Sequence, residues 1–299
     1  MSFLLGKVAI VTGAGQGLGR AEVHALAQAG AAVVVNDVGR APEGGGERPA
    51  DVVVREITEA GGRAVANYDD VSDWDGAQNL VKQAVGLEGH LDILVCNAGI
   101  VRDRMLHKLS PEEWDAVVRV HQRGHFLPTR FAAEHWRERA KQDGPVSARL
   151  IYTTSEAGLF GHIGQANYAT AKAGITGLCF TAAQELARVG VTVNTVSPRG
   201  RTPMTFGAFG DIPKSDGGFD TWDPANVAPF VTFLARDEAA NITGQVFVVH
   251  GGTVTRLAPW TEAGTIVADH RWEADELLKA AEDLVPGLVA PAPVFPVAI

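Results

Sequence analysis

Ser155, Tyr168 and Lys172 have the types and spacing needed to move a proton on and off an oxygen. Tyr168 and Lys172 stand four apart in a segment, Gln165 to Ala187, of helical composition and period, so both project from one face a single turn apart. A lysine ammonium beside a phenol favours the phenolate, so the spacing predicts a tyrosine pKa drawn down toward general acid/base range. Ser155, thirteen residues before the tyrosine, follows the apolar run Leu150 to Thr154, where the carboxyl edge of a parallel sheet presents its ligands. Its hydroxyl can hold a substrate oxygen while the tyrosine exchanges a proton with it. Taken alone, the same residues are also an ordinary exposed pair and a strand end. A second cluster separates the two readings: Thr12-Gly13-Ala14-Gly15-Gln16-Gly17-Leu18-Gly19 directly follows the apolar run Lys7 to Val11. Glycine is needed where a strand turns sharply into a helix, where backbone approaches a pyrophosphate, and where helix and strand pack closely. The helix that starts there points free N–H groups and a positive dipole end at phosphates. Leu18 stands where the common Gly-x-Gly-x-x-Gly fingerprint has its last glycine. Together the clusters imply a nucleotide-dependent redox enzyme. Asp37, at the end of the second apolar run, sits about where an acidic residue receives adenosine ribose hydroxyls and repels a 2′-phosphate, which favours NAD over NADP; Arg40 nearby works against this.

The elements that must position these residues show as short apolar, β-branched runs separated by helix-length segments. They are Val8 to Val11, Ala31 to Val35, Ala64 to Ala66, Ile93 to Cys96, Leu150 to Thr154, Val191 to Val196 and Val246 to Val249. Runs that are almost wholly apolar belong to parallel strands covered on both faces, so the expected fold is a Rossmann-like, doubly wound α/β sheet of seven parallel strands. Ser110-Pro111-Glu112-Glu113 reads as a helix start with a capping box. Gly39 to Ala50 reads as an exposed loop. Pro198 to Gly218 is a second long irregular stretch, whose Met204, Phe206 and Phe209 can cover an apolar substrate. After Gly251-Gly252 the strand–helix alternation stops, which divides the chain into a domain over 1–255 and an extension over 256–299. The extension holds a helix around Ala274 to Glu282 and an apolar, proline-rich tail from Pro291 to Ile299, a strap within or between subunits.

With 299 residues, 46% of them hydrophobic, the chain can bury one large core. A net charge of −9 with interspersed signs argues against nucleic acid or a membrane surface as partner. No stretch reaches the roughly 18 apolar residues of a membrane span, and Gly6-Lys7 leaves no room for a signal peptide. Cys96 and Cys179 lie far apart and read as buried apolar residues, which fits a reducing cytoplasm. The histidines are scattered, so no metal site is expected.

At this point the chain resembles the short-chain dehydrogenase/reductase family over residues 5 to 252. Asn97-Ala98-Gly99 is similar to the family's Asn-Ala-Gly signature lining the cofactor, and Asp70-Val71 to its adenine-contacting segment. Asn194 to Pro198 is similar to its Asn-x-x-x-Pro-Gly element beside the nicotinamide, although Arg199 intervenes before Gly200; Thr202 would be a cofactor contact there. The resemblance implies cofactor contacts at Gly13, Gln16, Gly17, Leu18 and Gly19, catalytic roles for Ser155, Tyr168 and Lys172, and a second role for Lys172 on the nicotinamide ribose. His121 stands in His121-Gln-Arg-Gly124-His-Phe126, where the family usually carries the Asn of Asn-x-x-Gly-x-Phe. It either bridges backbone groups or joins a proton relay through water to Lys172. The long helices Glu112 to Arg139 and Gln165 to Arg188 carry apolar residues beyond one core-facing stripe and correspond to the family's two-fold interface, so a homodimer or homotetramer is expected.

His121, Asn36-Asp37-Val38-Gly39, Ala66-Asn67-Tyr68-Asp69, Arg102-Asp103-Arg104, Gly164-Gln165-Ala166-Asn167-Tyr168 and Trp260 to Ile266 narrow the resemblance. Together they are similar to the (3R)-hydroxyacyl-CoA dehydrogenase part of peroxisomal multifunctional enzyme type 2 and its bacterial single-domain relatives. That implies an acyl-CoA or a steroid alcohol as the small-molecule substrate. Arg102, Arg104 and Lys108 either meet the phosphates of coenzyme A or belong to a solvated loop. The alternatives are a hydroxysteroid dehydrogenase and, from another class, a catalytically silent NAD-binding sensor or scaffold.

Overall fold

The computed structural model describes residues 2–43, 45–202, 204–205, 212–214, 217–258 and 260–285. Seven strands run parallel: β1 (Val8–Thr12), β2 (Ala32–Asn36), β3 (Arg63–Asn67), β4 (Ile93–Cys96), β5 (Ala148–Thr153), β6 (Val191–Arg199) and β7 (Gln245–His250). The sheet has one strand more than the apolar runs gave. The chain turns at Gly251, where φ is +54°, and β8 (Thr253–Leu257) pairs antiparallel with β7. β8 is exposed along most of its length, so it has no apolar run to betray it, and it crosses the boundary expected at residues 255–256. Strand order is β3-β2-β1-β4-β5-β6-β7-β8, so the winding reverses between β1 and β4, where open α/β sheets bind ligands beyond the carboxyl ends of their strands.

Alternation along β1 shows why the sheet is covered on both faces. Val8 and Ile10 enter one apolar cluster with Leu80, Phe131, Trp136 and Ile175; Ala9 and Val11 enter the other with Val23, Leu26, Val53 and Val231. The first face is covered by α3 (Trp74–Glu88), α5 (Gly124–Asp143) and α7 (Ala166–Leu186). The second is covered by α1 (Gly17–Gln28), α2 (Pro49–Glu59) and α8 (Ala228–Leu234). Burying a side chain of Val, Leu or Ile size contributes about 1.5–3 kcal/mol, so the two clusters are the main apolar contribution holding the sheet against its helices.

Three local features place the site. α4 (Pro111–Val118) starts on Ser110 with the expected capping box completed by Glu113. Between α4 and α5 the backbone widens to a π turn over Arg119–Arg123, which buries His121; such turns mark functional positions. Pro128, inside α5, has no N–H to give the carbonyl one turn back. α6 (Glu156–Phe160) leaves β5 at Ser155, whose hydroxyl accepts from Ala157 N. The extension helix is α9 (Ala274–Leu284). The tail from Pro291 to Ile299 lies outside the described residues, as do Phe206 and Phe209.

Candidate active site

The carboxyl ends of the parallel strands open onto a cavity of about 680 Å³, lined at one end by Gly13, Gly17 and Asp37 and at the other by Ser155, Tyr168 and Lys172. The turn from β1 into α1 is built for close approach. Gly13 and Gly17 have φ of +64° and +57°, and a Cβ on Gly13 would stand 2.8 Å from Ala98 Cα. A Cβ on Gly19 would lie 2.4 Å from Gly13 O, so this glycine seats the helix on the turn, and Leu18 meets the backbone near Gly200. Gln16 precedes α1 in extended conformation and no side chain caps the helix, which leaves its first amides to a ligand. Asn97 fastens the neighbouring strand to this turn: its Nδ2 donates to Thr12 O at 3.1 Å and Gly13 O at 3.2 Å, and the amides of Asn97 and Ala98 donate to Thr12 Oγ1.

Asp37, just beyond β2, accepts from Gly15 N at 2.9 Å and Gly39 N at 2.8 Å. Its carboxylate is therefore held over the turn, close enough that a Cβ on Gly15 would meet Oδ2 at 2.8 Å. Asp70 lines the cavity beyond β3 and is itself fixed, accepting from Ser72 N and Ser72 Oγ and pairing with Arg119 at 2.9 Å; Val71 beside it is buried. Thr202 arches over Gly17, to which a Cβ would come within 3.2 Å of Thr202 Cγ2. Ala98, Gly99, Pro198 and Met204 complete the lining among the expected residues. A path running from Asp37 over an open helix start to Lys172, with no room for side chains at Gly13 or Gly15, fits a dinucleotide.

At the chemical end, Lys172 is buried on α7 and donates from Nζ to Thr153 O at 2.7 Å, which ties the helix to the end of β5. Its Nζ lies 5.5 Å from the centre of the Tyr168 ring. The tyrosine pKa moves opposite to the sequence expectation: burial pushes the phenol up to about 12, against a hydrogen bond with Ser155 that favours the phenolate. The same burial pushes Lys172 down to about 7. Both charged forms lose more from desolvation than they gain from each other, and helical spacing alone carries no information on that loss. His121 Nε2 lies 2.7 Å from Ile100 O and 3.1 Å from Ile100 N, so the ring bridges backbone, while its Nδ1 is buried with no partner. The imidazole packs edge-on to the Tyr168 ring with centroids 5.1 Å apart, and burial keeps it neutral, its pKa well below the usual value.

Arg102 and Arg104 lie on the exposed segment after β4 and do not line the cavity. Arg104 is engaged by Glu113 at 2.6 Å, whereas Arg102 is hydrogen-bonded to Val101 O at 2.7 Å. Sequence reasoning gave no role to Glu156 or Arg199, which face each other in the lining at 2.6 and 2.7 Å. Only the strand pairing brings them together. It also passed over His125, fully buried with both ring nitrogens unpartnered and held neutral by burial, which pushes it down to about 3. The spacing of four from His121 was the available signal. Among the described residues no group of His, Cys, Asp and Glu could hold a metal ion, and no helix is long and apolar enough to cross a membrane.

The family model described as short chain dehydrogenase matches residues 7–207. Hydroxyacyl-CoA dehydrogenase ChsB1 of Mycobacterium tuberculosis is 50% identical over 292 residues, covering 95% of this chain and 90% of that protein. Peroxisomal multifunctional enzyme type 2 of Mus musculus is 41% identical over 264 residues, 88% of this chain but 34% of that longer protein. In three dimensions the chain is similar to a short chain dehydrogenase from Mycobacterium avium, with a TM-score of 0.88, 45% identity, and coverage of 98% and 99% of the two chains.

Proposed function

The chain belongs to the short chain dehydrogenase family, oxidoreductases that use nicotinamide cofactors, and from that premise we propose that it interconverts a (3R)-3-hydroxyacyl-CoA and its ketone with NAD. One observation carries the reading: Ser155, Tyr168 and Lys172 line the same cavity as the glycine turn, in a chain half identical to a hydroxyacyl-CoA dehydrogenase along nearly its whole length. The nicotinamide supplies a hydride acceptor. The chain's own residues do the rest. Ser155 holds the alcohol oxygen, and Tyr168 Oη takes the hydroxyl proton during oxidation or returns it during reduction. A phenol pushed up to about 12 is fully protonated in the free chain, the state needed to donate. For the oxidative direction the phenolate must be stabilised, a role that falls to Lys172, 5.5 Å from the ring centre, when its amine, pushed down to about 7, carries a proton. Val101, Ala157 and Met204 give the cavity an apolar stretch of wall, against which the carbon chain of the substrate would lie.

Asp37 supports NAD over NADP, because a carboxylate fixed by two backbone amides cannot swing away from a 2′-phosphate. Phe126 of α5, exposed beside a groove that α5 shares with Leu178 of α7, supports a homo-oligomer whose interface would also take in charged residues of that groove such as Arg130, Glu134 and Glu185. The hydroxysteroid alternative gains from the ion pair between Arg104 and Glu113, which leaves one cation fewer for an anionic thioester handle. The test is initial-rate turnover with NAD and with NADP on (3R)- and (3S)-3-hydroxyacyl-CoA esters and on hydroxysteroids. The proposal expects the (3R) thioester with NAD to give the highest kcat/KM. A free hydroxysteroid turned over faster than any thioester would replace it.

A further inference from the structure

β5 and β6 stay in register up to the pair Thr153 and Val196, and the last backbone bond between them runs from Thr154 N to Val196 O at 2.8 Å. There β5 turns away to present Ser155, while β6 continues to Arg199 paired with β7. Three residues beyond the last register pair on each strand stand Glu156 and Arg199, joined by a bidentate ion pair at 2.6 and 2.7 Å. Glu156 is 4% exposed and the Arg199 side chain 18%. Both line the cavity. Each is covalently next to a residue of the site: Glu156 follows Ser155, and Arg199 follows Pro198 at the start of the segment that leads to Thr202.

We propose that the Glu156–Arg199 ion pair is a positioning element: a side-chain rung that replaces the backbone ladder where it ends and fixes the serine arm of β5 against the cofactor arm of β6. This deepens the catalytic reading above and rests on it. A bidentate carboxylate–guanidinium pair sets both distance and plane, which a single hydrogen bond does not. α6 has only five residues, and its amides at Gly158 and Leu159 both draw on Ser155 O, so the serine depends on what grips the helix from outside: the α7 backbone against Gly158 and the ion pair at Glu156. A buried ion pair is weak evidence for stability, because well-packed neutral residues often do as well. Geometry is what it can add here. A misplacement of reacting groups by about 1 Å costs on the order of 100-fold in rate.

The test compares Glu156→Gln, Arg199→Met, Arg199→Lys and the double variant Glu156→Gln/Arg199→Met with the wild type. Measured are kcat and KM on the best alcohol of the substrate panel, the melting temperature, and amide hydrogen exchange across residues 154–161. The two neutralising single variants each leave one charge of the pair buried without the other and should melt lower; the double variant removes both charges of the pair and should melt above either single variant. A positioning role requires that kcat stay down by about 10- to 100-fold in the double variant, with KM changed little, and that Arg199→Lys fall between it and the wild type. Exchange at the α6 amides should also stay faster in the double variant while other elements return to wild-type protection. If kcat and α6 protection come back with the melting temperature, or never fall, the pair is merely structural and the proposal is overturned. The exchange arm needs no substrate, so it decides even if no thioester is turned over, a result that would count against the substrate reading alone.

Discussion

Arg149, at the amino edge of the sheet, and Lys172, at the carboxyl edge, are each 2% exposed, yet their surroundings differ in kind. Arg149 gives its guanidinium to the carbonyls of Ala148, Arg236 and Asp237 and to the Ser147 hydroxyl. Beside it Asp92 accepts from Val8 N at 2.8 Å, and the fully buried Trp136 donates to Leu91 O at 2.7 Å. The Lys172 ammonium donates one hydrogen bond, to Thr153 O, and near it the His121 and His125 rings leave three buried nitrogens without partners. Around Arg149 and Asp92 most of the bonding capacity is used, although the buried Nε2 of the nearby His135 has no partner. The cavity-lining His121 keeps a buried nitrogen unpartnered and Lys172 donates to one acceptor, whereas the Arg149 guanidinium donates to four, although burial lowers the pKa of Arg149 as it does that of Lys172.

The widest contrast should come from Tyr168→Phe, which removes one hydroxyl from the carboxyl edge. Turnover should fall by about 100- to 10,000-fold while the NADH dissociation constant and melting temperature stay close to wild type. Near-normal turnover would move the proton to another acceptor, with His121 the first to test. Arg149→Ala should do the reverse. Stranding several buried carbonyls costs about 2–3 kcal/mol of stability in a denaturant titration, with kcat per folded molecule unchanged.

His125 sharpens the contrast through pH. Its folded pKa is pushed down to about 3, below the ordinary histidine value, so as acidity rises through about pH 6.5 the unfolded chain takes a proton that the folded chain refuses. Its contribution to stability is therefore lost progressively as pH falls from about 6.5 toward 3. Relative to wild type, His125→Asn should gain on the order of 1–2 kcal/mol between pH 7 and pH 5. Glu22, buried and pushed up to about 7, acts in the opposite sense between about pH 4.5 and 7, which is why the difference between variant and wild type is the quantity to measure. A constant difference across that range would mean the ring is not held neutral. The smallest effect should be at Asp37: Asp37→Ala should narrow the preference for NAD over NADP several-fold, to about tenfold, read as the ratio of the two kcat/KM values. An NADP value already equal to that for NAD in the wild type would remove the carboxylate from cofactor choice.

Most of the parallel strands were legible because they are runs of apolar, β-branched residues that a sheet covered on both faces buries, β3 at the sheet edge being only partly buried; β8 was not, because four of its five residues are exposed. The glycine turn and the Tyr168–Lys172 pair were legible because fixed spacings encode backbone shape and helix face. The direction of the Tyr168 pKa was not, since it depends on how much protein surrounds the phenol, a property no local spacing records. Nor was the Glu156–Arg199 pair, whose partners are 43 residues apart and meet only through the register of β5 and β6. Arg104 looked available in sequence, but Glu113, which also closes the α4 capping box, takes it.

The most direct measurement is a double-mutant cycle between the two edges: wild type, Tyr168→Phe, Arg149→Ala and the double variant, each assayed for kcat and for unfolding free energy. If one edge serves chemistry and the other serves the fold, the double variant should show the kcat of Tyr168→Phe and the stability of Arg149→Ala, with a coupling energy below about 0.5 kcal/mol in both quantities. A kcat loss in Arg149→Ala comparable to that of Tyr168→Phe, or a strong coupling in either quantity, would contradict the division.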